Sequence, residues 1–412
     1  MFSREDRGLN TRLLHGKSGV SRDLNSILHS HSMPIVQTST FSFDSIKQAQ
    51  GVFSETDQRH EAYTRLSNPN HRKLEESLCV LEDGEAAQVF DSGMTATKVL
   101  LESLTEQGDH IIAHRNLYGG TYNLFKKWRK FGVSVSFVDA RDVDNVLLGV
   151  YPYTTKIKMI FLESPSNPSL DICDFKTIKE KLIRMDRSDT LVVVDNTFAT
   201  PCNQQPLKHG ADIVVHSLTK YINGYGTHIG GAIITFSHIM KRIWDGWGAS
   251  GGMMDPSVAW GISNNLISLP DRMKRHNENG KIVAEHLLRH PKVEKVNYPG
   301  FRNHPNYKVA IKLMTGFGGM VSFELKGDQE TTQRFLDKLA IDSRNGDGVV
   351  TLAVSLGTVD SLIICPALTT HFSVPREERL EQGISDNLIR MSVGTENIQD
   401  ILDSLERGFS VI

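Results

Sequence analysis

The sequence has 412 residues, with 46 Lys and Arg against 48 Asp and Glu, a formal net charge of −2 and four cysteines. A chain of this length can bury about three quarters of its extended surface, so its core needs no disulfide or metal. The near-zero charge argues against non-specific nucleic-acid binding, which depends on a surplus of Lys and Arg facing phosphates.

The apolar runs are far shorter than the roughly 18–20 residues that cross a bilayer, and residues 1–16 lack the apolar core of a signal peptide. The cysteines are scattered, with no CxxC pair and no spacing typical of metal ligands. We therefore expect a globular protein of the cytoplasm with no membrane partner, no nucleic-acid partner and no metal site.

Residues 1–61 are polar and irregular, with too little apolar periodicity for a core of their own. We expect them to form an N-terminal arm that lies on another surface.

Residues 62–262 alternate between short apolar runs and helical patterns, which is what a parallel sheet covered by helices on both faces requires. The pattern predicts an α/β domain with a mostly parallel central sheet. The predicted strands are Ala86–Phe90, His110–Ala113, Ser134–Val138, Lys158–Leu162, Thr190–Val194 and Asp212–His216.

Residues 263–412 carry sparser strands among helical patterns, which predicts a smaller α+β C-terminal domain. The predicted elements are strands at Gly318–Leu325, Val349–Val354 and Leu388–Ser392 and a closing helix at Asn397–Gly408.

One glycine pattern imitates a dinucleotide-binding loop. Residues 246–251 match GxGxxG, but that function needs a strand before the glycines and a helix that opens on them. The preceding stretch, Ser237–Trp244, is charged and helical in pattern, so we reject the dinucleotide interpretation. His29 and His31 lack a third metal ligand nearby, so a solvated arm is the better interpretation for them.

An acid and a lysine follow two of the predicted strands. Asp195 ends the run Leu191–Val194, and Lys220 lies shortly after the run that ends at His216. The carboxyl ends of strands line the ligand crevice of an open parallel sheet, so both side chains should face one pocket. A buried lysine can act as a nucleophile towards a carbonyl, and an aspartate can keep the ring nitrogen of a pyridoxal cofactor protonated. Either residue alone would be an ordinary strand-end acid or a surface lysine.

Further motifs occur with this pair in one order and spacing, and together they make the ordinary interpretation improbable. The sequence resembles the Cys/Met-metabolism γ-family of pyridoxal-phosphate enzymes, from about Thr11 to Phe409. The family includes cystathionine γ-synthase, cystathionine γ-lyase, methionine γ-lyase and O-acetylhomoserine sulfhydrylase. The matching segments are Tyr63–Pro69, Ser92–Met94, Asn116–Thr121, Glu163–Pro168, Val193–Thr197, Ser217–Tyr221 and Ala353–Gly357.

The resemblance implies the cofactor pyridoxal 5'-phosphate and a role for each matching residue. Lys220 would hold the cofactor covalently and move protons, and Asp195 would pair with its ring nitrogen. Tyr118 would stack on the ring and serve as a candidate acid or base. The phosphate would be held by Ser92, Gly93, Met94, Ser217 and Thr219.

The same resemblance assigns residues to the substrate and to a neighbouring subunit. Arg390 would take the substrate carboxylate, with Asn167 and Ser355 assisting it. Asn167 would also contact the cofactor. Tyr63 and Arg65 would reach the phosphate of a neighbouring subunit, so that the active site is shared.

The implied fold is the aspartate-aminotransferase-like arrangement, fold type I of the pyridoxal-phosphate enzymes. It is usually a homotetramer made of two tight dimers, in which the N-terminal arm would clasp another subunit.

The reaction is less well defined by the motifs, because γ-replacement and γ-elimination use the same machinery. Well-known methionine γ-lyases carry a cysteine where this chain has Gly120, and Gly224–Gly231 is closer to the sulfhydrylase pattern. Ile364 and Cys365 are expected to form an apolar wall of the substrate pocket. Residues 343–348 depart from the family pattern without explanation.

We therefore expect γ-replacement on an O-acylhomoserine by a sulfur nucleophile. The alternative is γ-elimination from methionine, homocysteine, cystathionine or a related amino acid, which gives 2-oxobutyrate and ammonia. A third hypothesis is a pseudo-enzyme that keeps the fold for binding, but the intact Lys220, Asp195, Tyr118 and Arg390 argue against it.

Overall fold

The computed structural model describes residues 8–15, 31–54, 60–150, 157–372 and 374–412. Much of the predicted N-terminal arm lies outside these residues, including 1–7, 16–30 and 55–59, and His29 is among them. The α-helices are Leu9–His15, Ile46–Phe53, Pro69–Glu82, Gly93–Leu104, Gly119–Trp128, Val143–Val150, Phe175–Arg184, Thr200–Asn203, Ser237–Ser250, Pro256–Leu266, Leu269–Arg289, Tyr307–Leu313, Gln329–Asn345, Arg376–Glu381 and Ile398–Phe409.

The larger sheet has seven strands in the order β1-β7-β6-β5-β4-β2-β3. Only β7 runs antiparallel to its neighbours, so the sheet is mostly parallel, as predicted. The strands are β1 Ala86–Phe90, β2 His110–His114, β3 Ser134–Val138, β4 Ile157–Glu163, β5 Leu191–Asp195, β6 Ile213–Ser217 and β7 Gly231–Thr235.

The central strands are apolar because both faces of the sheet are covered by helices. Every residue of β4 is buried, as are the first four of β5 and of β6. Alternate residues enter different cores: Val193 packs in one cluster with helix Gly93–Leu104, whereas Val192 packs on the opposite face. A parallel sheet with helices on both sides produces such unbroken apolar runs.

The second sheet has five strands in the order β10-β11-β12-β9-β8 and is mainly antiparallel. Its core packs against the long helix Leu269–Arg289 and the closing helix Ile398–Phe409. This smaller unit confirms the predicted α+β region; the boundaries at residues 61/62 and 262/263 stay predictions. Its strands are β8 Val293–Asn297, β9 Met320–Leu325, β10 Thr351–Leu352, β11 Leu362–Ile364 and β12 Leu388–Ser392.

Every predicted strand has a counterpart in the structure, but three observed strands were not predicted and one predicted strand is much shorter. Three strands are absent from the sequence prediction: β7, β8 and β11, which are only three to five residues long. The predicted strand Val349–Val354 shrinks to the two residues of β10. Only Thr351 and Leu352 find partners, on Leu362 and Ile363 of the short strand β11.

The GxGxxG segment is not a phosphate loop. Gly246 and Gly248 lie inside helix Ser237–Ser250, near its end instead of at its beginning. No helix among the residues that the structure describes is long and apolar enough to cross a membrane.

Candidate active site

Three polar residues end three adjacent parallel strands. Glu163 on β4 pairs in register with Asp195 on β5, and Asp195 is in turn the register partner of Val215 on β6, two residues before Ser217. Phe161, Val193 and Val215, each two residues before one of these polar residues, belong to one core cluster. Because alternate residues of a strand share a face, Glu163, Asp195 and Ser217 point to the same side of the sheet.

A cavity of about 780 Å³ opens over this row of strand ends. Eleven of the thirteen residues predicted from the sequence line it, which brings segments from across the chain into one space. They are Ser92, Gly93, Met94, Tyr118, Asn167, Asp195, Ser217, Thr219, Lys220, Ser355 and Arg390.

Lys220 lies in the turn that follows β6. Its Nζ donates a hydrogen bond to Ser355 Oγ at 2.8 Å, and it has no ion pair in the part of the chain that the structure describes. Burial, with a smaller contribution from the charge of Arg390, lowers the pKa of Lys220 to about 8. A substantial fraction of this amine is therefore neutral near physiological pH, and a neutral amine is a nucleophile.

Arg390 is buried on β12 and is held by two neutral acceptors. Its Nη1 donates to Asn167 Oδ1 at 3.0 Å, and its Nη2 donates to the Ser355 carbonyl at 2.9 Å. Burial lowers its pKa to about 10, so it stays charged at neutral pH. Among the described residues Arg390 has no ion-pair partner within 4.0 Å, so its charge is suited to bind a carboxylate that enters the cavity.

Ser355 links the amine and the guanidinium. Its hydroxyl accepts from Lys220 and its carbonyl accepts from Arg390. Its φ of 83° is an uncommon conformation for a residue with a side chain, and surrounding contacts must hold it. Lys220 and Arg390 are thus both positioned by one constrained residue.

The carboxylates of Glu163 and Asp195 are neighbours at the floor of the cavity. Burial, together with the charge of Asp195, raises the pKa of Glu163 well above its ordinary range. Burial also raises the pKa of Asp195, although hydrogen bonds from Thr197 act against this shift. A positively charged group bound beside Asp195 would favour its ionised form.

Glu163 was named in the sequence only as part of a motif, but it fixes two segments of the site. Its Oε2 accepts from the Tyr118 amide at 2.7 Å, and its Oε1 accepts from the Asn167 amide at 2.9 Å. Tyr118 itself is 48% exposed and lies immediately before helix Gly119–Trp128.

The beginning of helix Gly93–Leu104 faces the other end of the cavity. Ser92 caps it by accepting from the Thr95 amide, and the next amides lack partners within the helix, as at any helix N-terminus. A Cβ at Gly93 would lie 3.0 Å from Ser217 Cβ, so glycine allows the helix to touch β6. Amides and hydroxyls converge here on a space suited to an anion. The Thr219 hydroxyl, which was also predicted to hold the phosphate, forms its hydrogen bonds with the backbone of Gly230.

Tyr63 and Arg65 do not line the cavity that contains Lys220. They are exposed, and they border a separate surface cavity of about 500 Å³ together with Asp91 and Gly252. The Arg65 guanidinium lies 5.8 Å from the Tyr63 ring centroid and donates to the Gly248 carbonyl. This position does not test the predicted role in a neighbouring subunit.

The predicted wall formed by Ile364 and Cys365 is wrong. Both side chains are buried in or beside the core of the smaller sheet, and the Cys365 thiol contacts the Asp386 carbonyl at 3.5 Å. Neither residue lines the cavity. The sequence could not show which way this short strand faces.

The cavity mouth contains residues that the sequence analysis missed. Tyr122 and Lys126 both donate to Glu378 Oε1, at 2.7 and 2.8 Å, and so join helix Gly119–Trp128 to helix Arg376–Glu381. His371 lies nearby, and burial lowers its pKa to about 4, so it is neutral. No sequence pattern could have connected Glu378 with Tyr122 and Lys126, because more than 240 positions separate it from each of them.

Comparison with known proteins places this geometry in a family. The sequence profile described as Cys/Met metabolism PLP-dependent enzyme matches residues 11–410. An L-methionine gamma-lyase of Fusobacterium nucleatum subsp. polymorphum is 42% identical over 408 residues, covering 98% of each chain. A cystathionine gamma-lyase of Bacillus subtilis is 37% identical over 397 residues, covering 96% of this chain and 97% of that protein. The crystal structure of cystathionine gamma-lyase from Lactobacillus plantarum complexed with L-serine matches with a TM-score of 0.88 and 37% identity, covering 98% of this chain and 99% of that one.

The fold and these relatives define the class as a pyridoxal-phosphate-dependent enzyme of fold type I. The chain belongs to the Cys/Met metabolism family of these enzymes, whose named relatives are carbon–sulfur lyases. Its cofactor is pyridoxal 5'-phosphate, as the sequence analysis predicted.

The low pKa of Lys220 predicts selective labelling of its amine. In cofactor-free protein, brief pulses of acetic anhydride should label Lys220 with a pH midpoint of about 8. An amine with an ordinary pKa is less than about 1% neutral at that pH. Mass spectrometry of the digest measures the labelling. The exposed Lys312, labelled in the same sample, is the reference against which the labelling of Lys220 is compared. A midpoint above about 10 would contradict the proposed environment.

Proposed function

We propose that this protein is a carbon–sulfur lyase that performs γ-elimination on methionine or a closely related γ-thioether amino acid. The net reaction on methionine takes up one water and yields methanethiol, 2-oxobutyrate and ammonia. The observation that carries the proposal is the cavity that joins Lys220, Asp195 and Arg390 in a chain 42% identical to an L-methionine gamma-lyase.

The residues of the cavity fit the cofactor at each of its chemical groups. The amine of Lys220 suits its aldehyde, and the carboxylate of Asp195, which has no ion pair within the described residues, suits its ring nitrogen. The helix beginning at Gly93 and the Ser217 hydroxyl suit its phosphate. Tyr118, held at its amide by Glu163, is available to stack on the ring. When bound, the cofactor supplies an electron sink that makes the Cα proton of an amino acid acidic.

The chain itself then orients the substrate and moves protons. Arg390 binds the substrate carboxylate through its guanidinium, which is held in place by its hydrogen bonds to Asn167 and Ser355. Lys220 would hold the cofactor through its amine, and that amine, whose pKa is lowered by burial, is suited to accept and return protons at the substrate. Ser355 Oγ, 2.8 Å from Lys220 Nζ, steers the free amine.

Elimination is favoured over the γ-replacement that the sequence analysis placed first. The relatives named above are lyases, so they support the alternative expectation better than the main one. Gly120 stands where a cysteine was expected for a methionine γ-lyase. This single difference is weaker evidence than 42% identity to an L-methionine gamma-lyase along nearly the whole chain.

A substrate panel tests the reaction. With methionine and no added thiol, we expect release of 2-oxobutyrate and methanethiol, and added thiol should leave the rate of methionine loss largely unchanged. Cystathionine serves as the second substrate, because γ-cleavage gives 2-oxobutyrate and β-cleavage gives pyruvate. If O-acetylhomoserine with a thiol gives a thioether product while methionine gives no 2-oxobutyrate, the protein performs γ-replacement.

We also propose that two copies of the chain complete each other's active sites. Tyr63 and Arg65 project from the surface, 44% exposed in the case of Tyr63, and lie outside the cavity of their own chain. Two exposed apolar side chains at the cavity mouth, Ile229 and Val354, are 64% and 61% exposed. A second subunit that covers this mouth would bury them and bring Arg65 to the phosphate.

A mixing experiment tests the shared site. Lys220→Ala and Arg65→Ala should each lose most activity, but unfolding and refolding them together should restore some. In a mixed dimer one site carries both changes and the other carries neither, so about one quarter of all sites should be intact after random pairing. Activity is measured against the wild type refolded in the same way.

The control pairs Lys220→Ala with the double variant Lys220→Ala, Arg65→Ala, which leaves no intact site. No recovery in the first mixture, despite exchange of subunits shown by mass spectrometry, would mean that Arg65 acts within its own chain or has no role.

A further inference from the structure

A second polar cluster lies behind the active site, on the opposite face of the sheet. It consists of Glu82, Asn196, Gln204 and His216, and each is at most 2% exposed. None of them lines the active-site cavity. This group is called the rear cluster below.

The rear cluster ties together the ends of the same three strands that carry the site. Ser164, Asn196 and His216 are the chain neighbours of Glu163, Asp195 and Ser217. His216 lies within β6, so it points to the face opposite Ser217, whereas Ser164 and Asn196 directly follow β4 and β5 and join the rear through hydrogen bonds. Val214, two residues before His216, packs in the core of that rear face, which confirms the direction.

Short hydrogen bonds connect these three positions. Glu82 Oε1 accepts from Asn196 Nδ2 at 2.8 Å and lies 2.5 Å from His216 Nε2. Gln204 Nε2 donates to the Ser164 carbonyl at 2.9 Å and to Asn196 Oδ1 at 3.0 Å. Glu82 and Gln204 therefore hold β4, β5 and β6 together where the cavity begins.

Stability alone does not explain this arrangement. Three of its buried atoms, Glu82 Oε2, Gln204 Oε1 and His216 Nδ1, have no hydrogen-bond partner among the described residues. Glu82 is also the last residue of helix Pro69–Glu82, where the helix dipole disfavours a negative charge. Buried polar groups without partners lower stability, so their retention here suggests a positioning role.

We propose that Glu82 and His216 are positioning residues of the cofactor site, which act through Asn196 and the strand ends on the orientation of Asp195 and Ser217. The hydrogen bond from Asn196 fixes the turn that directly follows Asp195, and His216 fixes the strand position directly before Ser217. This inference rests on the proposed roles of Asp195 and Ser217 in holding the cofactor.

The variant Glu82→Gln tests the proposal because it keeps the shape of the side chain and removes its charge. Full-length protein is stripped of cofactor and titrated with pyridoxal 5'-phosphate. We expect the dissociation constant to rise by about tenfold, because an amide holds Asn196 and His216 less firmly than a carboxylate does. The visible circular dichroism of the bound cofactor should also change, because its orientation is altered.

Glu75→Gln is the matched control. Glu75 lies on the same helix, and its Oε1 accepts from the Val89 amide and from Gln88 Nε2, both at 3.1 Å. It therefore anchors the edge strand β1 instead of the strands of the site. Its change should leave cofactor affinity within about threefold of the wild type, even where it lowers the free energy of unfolding.

The outcomes separate this inference from the proposed function. If the wild type binds no cofactor, the proposed function fails. If the wild type binds and folded Glu82→Gln binds equally well, or if Glu75→Gln weakens binding as much, only the positioning role is contradicted. Should Glu82→Gln not fold, His216→Asn takes its place, because it removes the contact of His216 Nε2 with Glu82 Oε1; unchanged affinity and dichroism in it would overturn the proposal.

Discussion

The parallel pairing of β4, β5 and β6 is the constraint on which the site depends. Parallel strands that pair in register end at one edge, so the last side chain of each strand reaches the same space. Glu163, Asp195 and Ser217 occupy those ends, and the turn beyond β6 carries Lys220. The smaller sheet then adds Arg390 from β12, and the segment between β10 and β11 adds Ser355. The chemistry of the cavity thus follows from sheet topology before any ligand binds.

The alternation of side chains divides each strand end between two tasks. One residue faces the cavity and its neighbour faces the rear cluster, so the same backbone both presents a functional group and is anchored. Glu163 adds a second kind of anchoring, since its two oxygens hold the amides of Tyr118 and Asn167 on the cavity side.

Much of the fold and site could be predicted because the informative features are local. Leu388–Ser392 was predicted with its observed bounds, and eleven of the thirteen predicted site residues meet in one cavity. Features that depend on distant contacts could not be predicted. Glu82 belongs to an ordinary helical pattern, and its contact with His216 spans 134 positions. The direction in which Cys365 points depends on which side of a three-residue strand meets the core, and periodicity over three residues cannot decide that.

The central claim is that Lys220 is the amine that holds the cofactor, and borohydride trapping tests it most directly. The protein is loaded with pyridoxal 5'-phosphate, reduced with borohydride and digested, and mass spectrometry locates the added pyridoxyl group. The account predicts that this group is found on the peptide containing Lys220 and is absent from folded Lys220→Ala treated in the same way. A pyridoxyl group on another lysine in the wild type, retained in Lys220→Ala, would contradict it.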